Sequence, residues 1–144
     1  MKWKNLKEHV YYEDGSLRDL CVVDTCCSDW QKWVEYANKN YDLRWFNGKE
    51  NRTENHIDFG VIEALWNREH DLCSSASIFI GKIQINVHFF EDTEMEMDLD
   101  PREFQSIEEH HQVVEFMSNL AKLLKKEVRI TPESEHHVVL FKVD

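Results

Sequence analysis

The sequence predicts an α+β domain, a mostly antiparallel sheet with two helices packed on one face, in the order β-α-β-β-β-β-α-β-β. Three observations predict it. Two capping-box patterns each open an apolar stripe at helical spacing. A long alternating stretch between them reads as a β-hairpin. The chain has 144 residues, 42% of them hydrophobic, with only four Gly and two Pro. That suits one domain over residues 1–144, since domains commonly run to ~100–150 residues.

The elements follow in order. Glu13-Asp14-Gly15-Ser16 reads as a turn, and Arg18 to Asp24 as a strand carrying Leu20, Val22 and Val23. Ser28 with Gln31 makes the first capping box, and Trp30, Trp33, Val34 and Ala37 form the stripe behind it. Tyr41 to Phe46 alternates as a second strand, and 47–55 reads as a loop. Ile57, Phe59 and Val61 alternate with polar or small neighbours and predict a third strand reaching toward Trp66. Ile83, Ile85, Val87 and Phe89 then face Met95, Met97 and Leu99 across a hairpin. An odd loop is required there. A one-residue slip would turn the apolar face outward, so Val87 must stand opposite Met97 and His88 opposite Glu96. A phase change between Ile80 and Ile83 suggests a bulge at Gly81. Ser106 with Glu109 caps the second helix, whose face carries Val113, Met117, Leu120 and Leu124. Residues 128–131 and 138–143 read as the last strands.

Charge excludes several function classes. The formal net charge is −11, from 28 acidic and 17 basic side chains. Nucleic acid needs a basic footprint, and the only short basic run, Lys122 with Lys125 and Lys126, falls at a helix end where cations suit the dipole. An anionic membrane surface is disfavoured for the same reason. Lys2, Lys4, Lys7 and Glu8 follow Met1 at once, with no apolar signal core. No apolar stretch approaches the ~20 residues that span a bilayer. The expected location is cytoplasmic, with Cys21, Cys26, Cys27 and Cys73 reduced.

Motif chemistry is sparse. No nucleophile elbow, zinc-protease helix or glycine-rich phosphate loop is present, so neither a cofactor nor a catalytic residue is assigned. His70 and Cys73 stand at a chelating spacing without a second pair, and adjacent histidines at 110–111 and 136–137 diverge, so no metal is expected. Cys26 and Cys27 precede the first helix, whose N-terminus favours a thiolate. They are the nucleophile candidates of an alternative enzyme reading. A third reading is self-association into a homodimer through the sheet or a helix face.

The strongest surface feature is acidic. Glu91, Asp92, Glu94, Glu96, Asp98 and Asp100 line the predicted hairpin, with Glu94, Glu96 and Asp98 on one strand face. A solvated strand face has the same look. Such a block also steers a basic protein partner, and Tyr41, Trp45 or Trp66 nearby are candidates for its aromatic anchor. In size, acidity, mixed α/β layout and absence of a catalytic motif the chain is similar to the small immunity proteins of bacterial toxin–immunity systems. That resemblance implies a non-enzymatic inhibitor that neutralises a basic toxin. It assigns no individual residue.

Overall fold

A computed structural model describes residues 2–144. In chain order it contains α1 (Trp3–His9), β1 (Arg18–Val23), α2 (Cys27–Asn40), β2 (Asp42–Asn47), β3 (Arg52–Glu54), α3 (Phe59–Trp66), β4 (Ser75–Ile80), β5 (Ile83–His88), β6 (Glu94–Leu99), a 3-10 turn (Pro101–Glu103), α4 (Ile107–Leu124), β7 (Val128–Pro132) and β8 (Phe141–Val143). The fold is α+β. The strands form one open antiparallel sheet in the order β3-β2-β4-β5-β6-β1-β7-β8.

Alternation along the strands gives the sheet an apolar and a polar face. Leu20, Val22, Trp45, Ile78, Ile85, Val87, Met95, Met97 and Ile130 are all buried on the apolar side, under the Trp30–Trp33–Val34 stripe of α2 and the Val113–Met117–Leu120 stripe of α4. Trp30 meets Trp33 and Trp66 edge-on and Phe89 at a tilt, which closes one end of the core. Removing either buried indole would cost about 3–5 kcal/mol, through lost burial and the cavity left behind. Arg18 belongs to this face too. Its guanidinium is fully buried and donates to the Val10 and Leu17 carbonyls at 2.8 and 2.9 Å and to the Tyr12 carbonyl. It thereby anchors the strap between α1 and β1.

The hairpin register is the expected one, with Asn86 opposite Asp98, Val87 opposite Met97 and His88 opposite Glu96. Ser106 and Glu109 form the expected box at α4. Several elements differ from expectation, each for a physical reason. Residues 59–66 are a helix and not a strand. Phe59, Ile62 and Trp66 also fit a helical period, and Asp58 caps the segment by accepting from Gly60 N–H at 3.0 Å. β4 fills a stretch whose Ser75 and Ser77 look loop-like, yet it pairs with both β2 and β5. The phase change at Gly81 is therefore a chain reversal and not a bulge. Ile80 pairs with Ile83, and Gly81 takes φ +57 in the two-residue turn. α2 starts two residues early. Cys26 is its N-cap, and both its N–H and its thiol donate to Asp29 Oδ2. β3 lies within the predicted 47–55 loop, and α1 in the N-terminal stretch, where the sequence pattern predicts no element. β8 is shorter than predicted because residues 133–140 bend back over the polar face of the sheet.

Both sheet edges are three-residue strands carrying charge, Arg52 and Glu54 on β3 and Lys142 on β8. Short charged edges discourage strand-to-strand pairing between copies.

Candidate functional site

Two regions carry chemistry-bearing side chains, one on the polar face of the sheet and one at the tip of the β5–β6 hairpin. The polar face is built by parity. Asp19 and Cys21 on β1 stand opposite Asp98 and Glu96 on β6, and His88 on β5 stands opposite Glu96 from the other side. Like charges facing each other across strands repel, and the surroundings answer each one. Asp98 is buried and accepts from His88 Nε2 at 2.5 Å and from Asn86 at 2.9 Å. Asp19 is also buried, and accepts from Ser134 N–H and from His136 Nε2, both at 2.8 Å. Glu96 lies 3.1 Å from the same His136 nitrogen, and Glu94 pairs with His136 Nδ1. His136 is thus held among three carboxylates, brought there by the bent-back 133–140 connection.

The electrostatics follow from this crowding. The Asp98 hydrogen bond raises the His88 pKa above its ordinary value, against the opposing effect of burial. Burial also opposes protonation of His136, but Asp19 and Glu94 outweigh it and raise its pKa. Burial and the neighbouring Asp19 push the Glu96 carboxyl up. Cys21 lies fully buried beneath the cluster, and burial together with Glu94 pushes its thiol up to about 12. The donor atoms of Cys21, Glu94 and His136 lie within 4.8 Å of one another, as do those of Asp19, Glu96 and His136.

The acidic row expected to face a partner is therefore mostly spent inside the molecule. Asp98 is buried, Glu94 and Glu96 serve His136, and Asp100 caps the 3-10 turn while Arg102 grips its carboxylate. Glu91 and Asp92 alone among the six make no ion pair with the described residues. The expected aromatic anchors also turn inward. Trp45 is 0% exposed, Trp66 is half-buried and donates its indole N–H to the Phe89 carbonyl at 3.1 Å, and Tyr41 packs on Phe116. Two phenyl rings are exposed among the described residues, Phe46 at 42% and, more fully, Phe90 at 70%, which stacks on His88. Phe90 borders a cleft of about 360 Å³ that Leu65, Trp66, Cys73 and Phe89 line on the apolar side and Arg68, Glu91 and Asp92 on the polar side.

The cysteine and histidine candidates resolve as follows. The Cys27 thiol donates to Glu63 Oε2 at 3.3 Å, and burial together with that carboxylate pushes its pKa up to about 11. The helix N-terminus does not outweigh these neighbours, so Cys27 is held as the thiol. Cys26 spends its thiol on the α2 cap, and among the described residues no imidazole hydrogen-bonds either sulfur. His70 uses Nε2 on the Val61 carbonyl and accepts from Leu72 N–H at Nδ1, so neither nitrogen is free to pair with Cys73 on a metal.

Comparison with known protein families, curated proteins and solved structures gives no match for this chain.

Proposed function

We propose that this chain is a non-enzymatic protein-binding module, an inhibitor of the immunity type that captures a basic partner at the tip of the β5–β6 hairpin. Phe90 carries the reading. A large ring left 70% exposed beside a partly apolar cleft, with Glu91 and Asp92 next to it in sequence, has the anatomy of an interface anchor. The partner's side is then an apolar pocket rimmed by Lys or Arg. The net charge of −11 draws such a partner in, while the ring and the cleft set how long it stays.

The test is a tagged-protein pull-down from the source cell, washed at low and then high salt and followed by binding kinetics on the partner captured. Phe90→Ala is expected to raise the dissociation rate at least tenfold. Charge reversal at Glu91 and Asp92 is expected to slow association and flatten its salt dependence. A partner bound equally well by wild type and Phe90→Ala would place the interface elsewhere.

A further inference from the structure

The polar face holds an arrangement that the partner reading does not use. The Cys21 side chain is 0% exposed, its sulfur lies within 4.8 Å of a Glu94 oxygen and a His136 nitrogen, and none of the described residues hydrogen-bonds it. The charges around it do not balance. Asp19, Glu94, Glu96 and Asp98 bring four carboxylates, and His88 and His136 bring two imidazoles. Arg129 stands opposite Cys21, but Glu127 grips its guanidinium at 2.5 and 2.8 Å. Even with both rings protonated, two negative charges are left over in a half-buried layer.

We infer that Cys21, Glu94 and His136 form a site for one divalent cation of the zinc class, with Asp19 orienting the His136 ring. The ligand types choose the metal. A sulfur, an imidazole and a carboxylate suit zinc, whereas magnesium and calcium take oxygen alone. Ligand atoms in tetrahedral zinc sites lie about 3–4 Å apart, given Zn–S of about 2.3 Å and Zn–N of about 2.0 Å. The triad's donor atoms lie within 4.8 Å of one another, so an ion between them would draw the sulfur in and part His136 from Glu94 by side-chain rotation.

The ring orientation is the one a metal-bound histidine adopts. Nδ1 faces Glu94, while Nε2–H donates to Asp19 Oδ2 at 2.8 Å. A carboxylate on the second ring nitrogen fixes the tautomer and strengthens the ligand. Binding releases the Cys21 thiol proton and, from a protonated His136, the Nδ1 proton to solvent, and forms the sulfur–metal and nitrogen–metal bonds. Water takes the fourth position. The ion would tie the 133–140 connection to β1 and β6.

The full chain, reduced and stripped with chelator, is titrated with Co²⁺ as a spectroscopic substitute for zinc. The expected result is a thiolate-to-cobalt charge-transfer band that saturates at one equivalent and is bleached by Zn²⁺. The band should persist in the Cys26→Ser/Cys27→Ser/Cys73→Ser protein, where Cys21 is the remaining thiol, and vanish in Cys21→Ser. Glu94→Gln and His136→Gln should each weaken Co²⁺ binding at least tenfold. The triple-serine protein leaves the buried core untouched, so the test does not depend on Cys21→Ser folding. Absence of the band in that protein, or unchanged affinity in Glu94→Gln, would overturn the site and identify the cluster as an imidazole–carboxylate network alone. Neither result bears on the Phe90 surface.

Discussion

His110 should set part of the acid limit of this fold. The ring sits in α4, only 7% exposed, with Phe141 edge-on at 5.0 Å. Its Nδ1 lies 2.7 Å from the Tyr11 hydroxyl, within hydrogen-bonding distance. Burial, reinforced by His111, pushes the His110 pKa down to about 4. In the unfolded chain it returns to about 6.5. Above that value neither state binds the proton, and His110 is silent. Between about 6.5 and about 4 only the unfolded state binds it, so stability falls by about 1.4 kcal/mol per pH unit. The loss reaches about 2 kcal/mol at pH 5 and about 3 kcal/mol at pH 4. His110→Gln removes the titration, and the amide oxygen can accept from Tyr11. The assay is urea denaturation of both proteins at about pH 7.5 and about pH 5. His88 and His136, with raised pKa values, act in the opposite sense, since the stability they add is full below their unfolded pKa and lost as pH rises. They are present in both proteins and cancel in the difference. Wild type is expected to lose about 2 kcal/mol more than the variant between the two pH values. Equal losses would show that His110 takes its proton without unfolding, and the burial argument would fall.

Two further predictions concern the strap and a close approach. Arg18→Met leaves the buried Val10 carbonyl and the part-buried Tyr12 and Leu17 carbonyls without their donor. It should cost about 3 kcal/mol in urea denaturation, and a loss under about 1 kcal/mol would mean that water replaces the guanidinium. At Gly48 a methyl group would fall well inside van der Waals contact of the Cys73 carbonyl oxygen. Gly48→Ala should therefore cost about 1–3 kcal/mol by overpacking, whereas an unchanged denaturation midpoint would show that the Leu72–Cys73 segment yields freely.

What was legible in the sequence is what periodicity and caps encode locally. The α4 box at Ser106–Glu109 and the Val87–Met97 pairing follow from residues close in sequence, or from a parity that admits one answer. The misreadings arise where two periods fit the same residues. Ile57, Phe59 and Val61 alternate, yet Phe59, Ile62 and Trp66 also share a helical face, and the Asp58 cap decides. Ser75 and Ser77 conceal β4 because a strand paired on both sides needs only its inward residues, Ala76 and Ile78, to be apolar. The polar-face cluster lay further out of reach. The parities of Asp19–Cys21 and of Glu94–Glu96–Asp98 were readable one by one. Their meeting depends on β1 pairing with β6 and on a connection more than a hundred residues along the chain bringing back His136.

That distinction decides how the partner surface must be tested. A net charge counts side chains without regard to what they face, and here it misplaces the field. Taken from the sequence alone, the acidic row invites charge reversal at Glu94, Glu96 and Asp98. In the fold, a lysine at 98 would bury a cation beside His88 and Asn86, and lysines at 94 and 96 would displace His136. Replacing a buried, paired charge by its opposite costs several kcal/mol. Loss of partner binding would then report a damaged sheet face and say nothing of the interface. Glu91 and Asp92 make no ion pair with the described residues and sit at the hairpin tip next to Phe90, so reversing them leaves the fold's own charge network alone. If the tip is the docking surface, Glu91→Lys with Asp92→Lys slows association while thermal stability holds. If association holds as well, the acidic field acts from elsewhere and the role assigned to the hairpin tip is wrong.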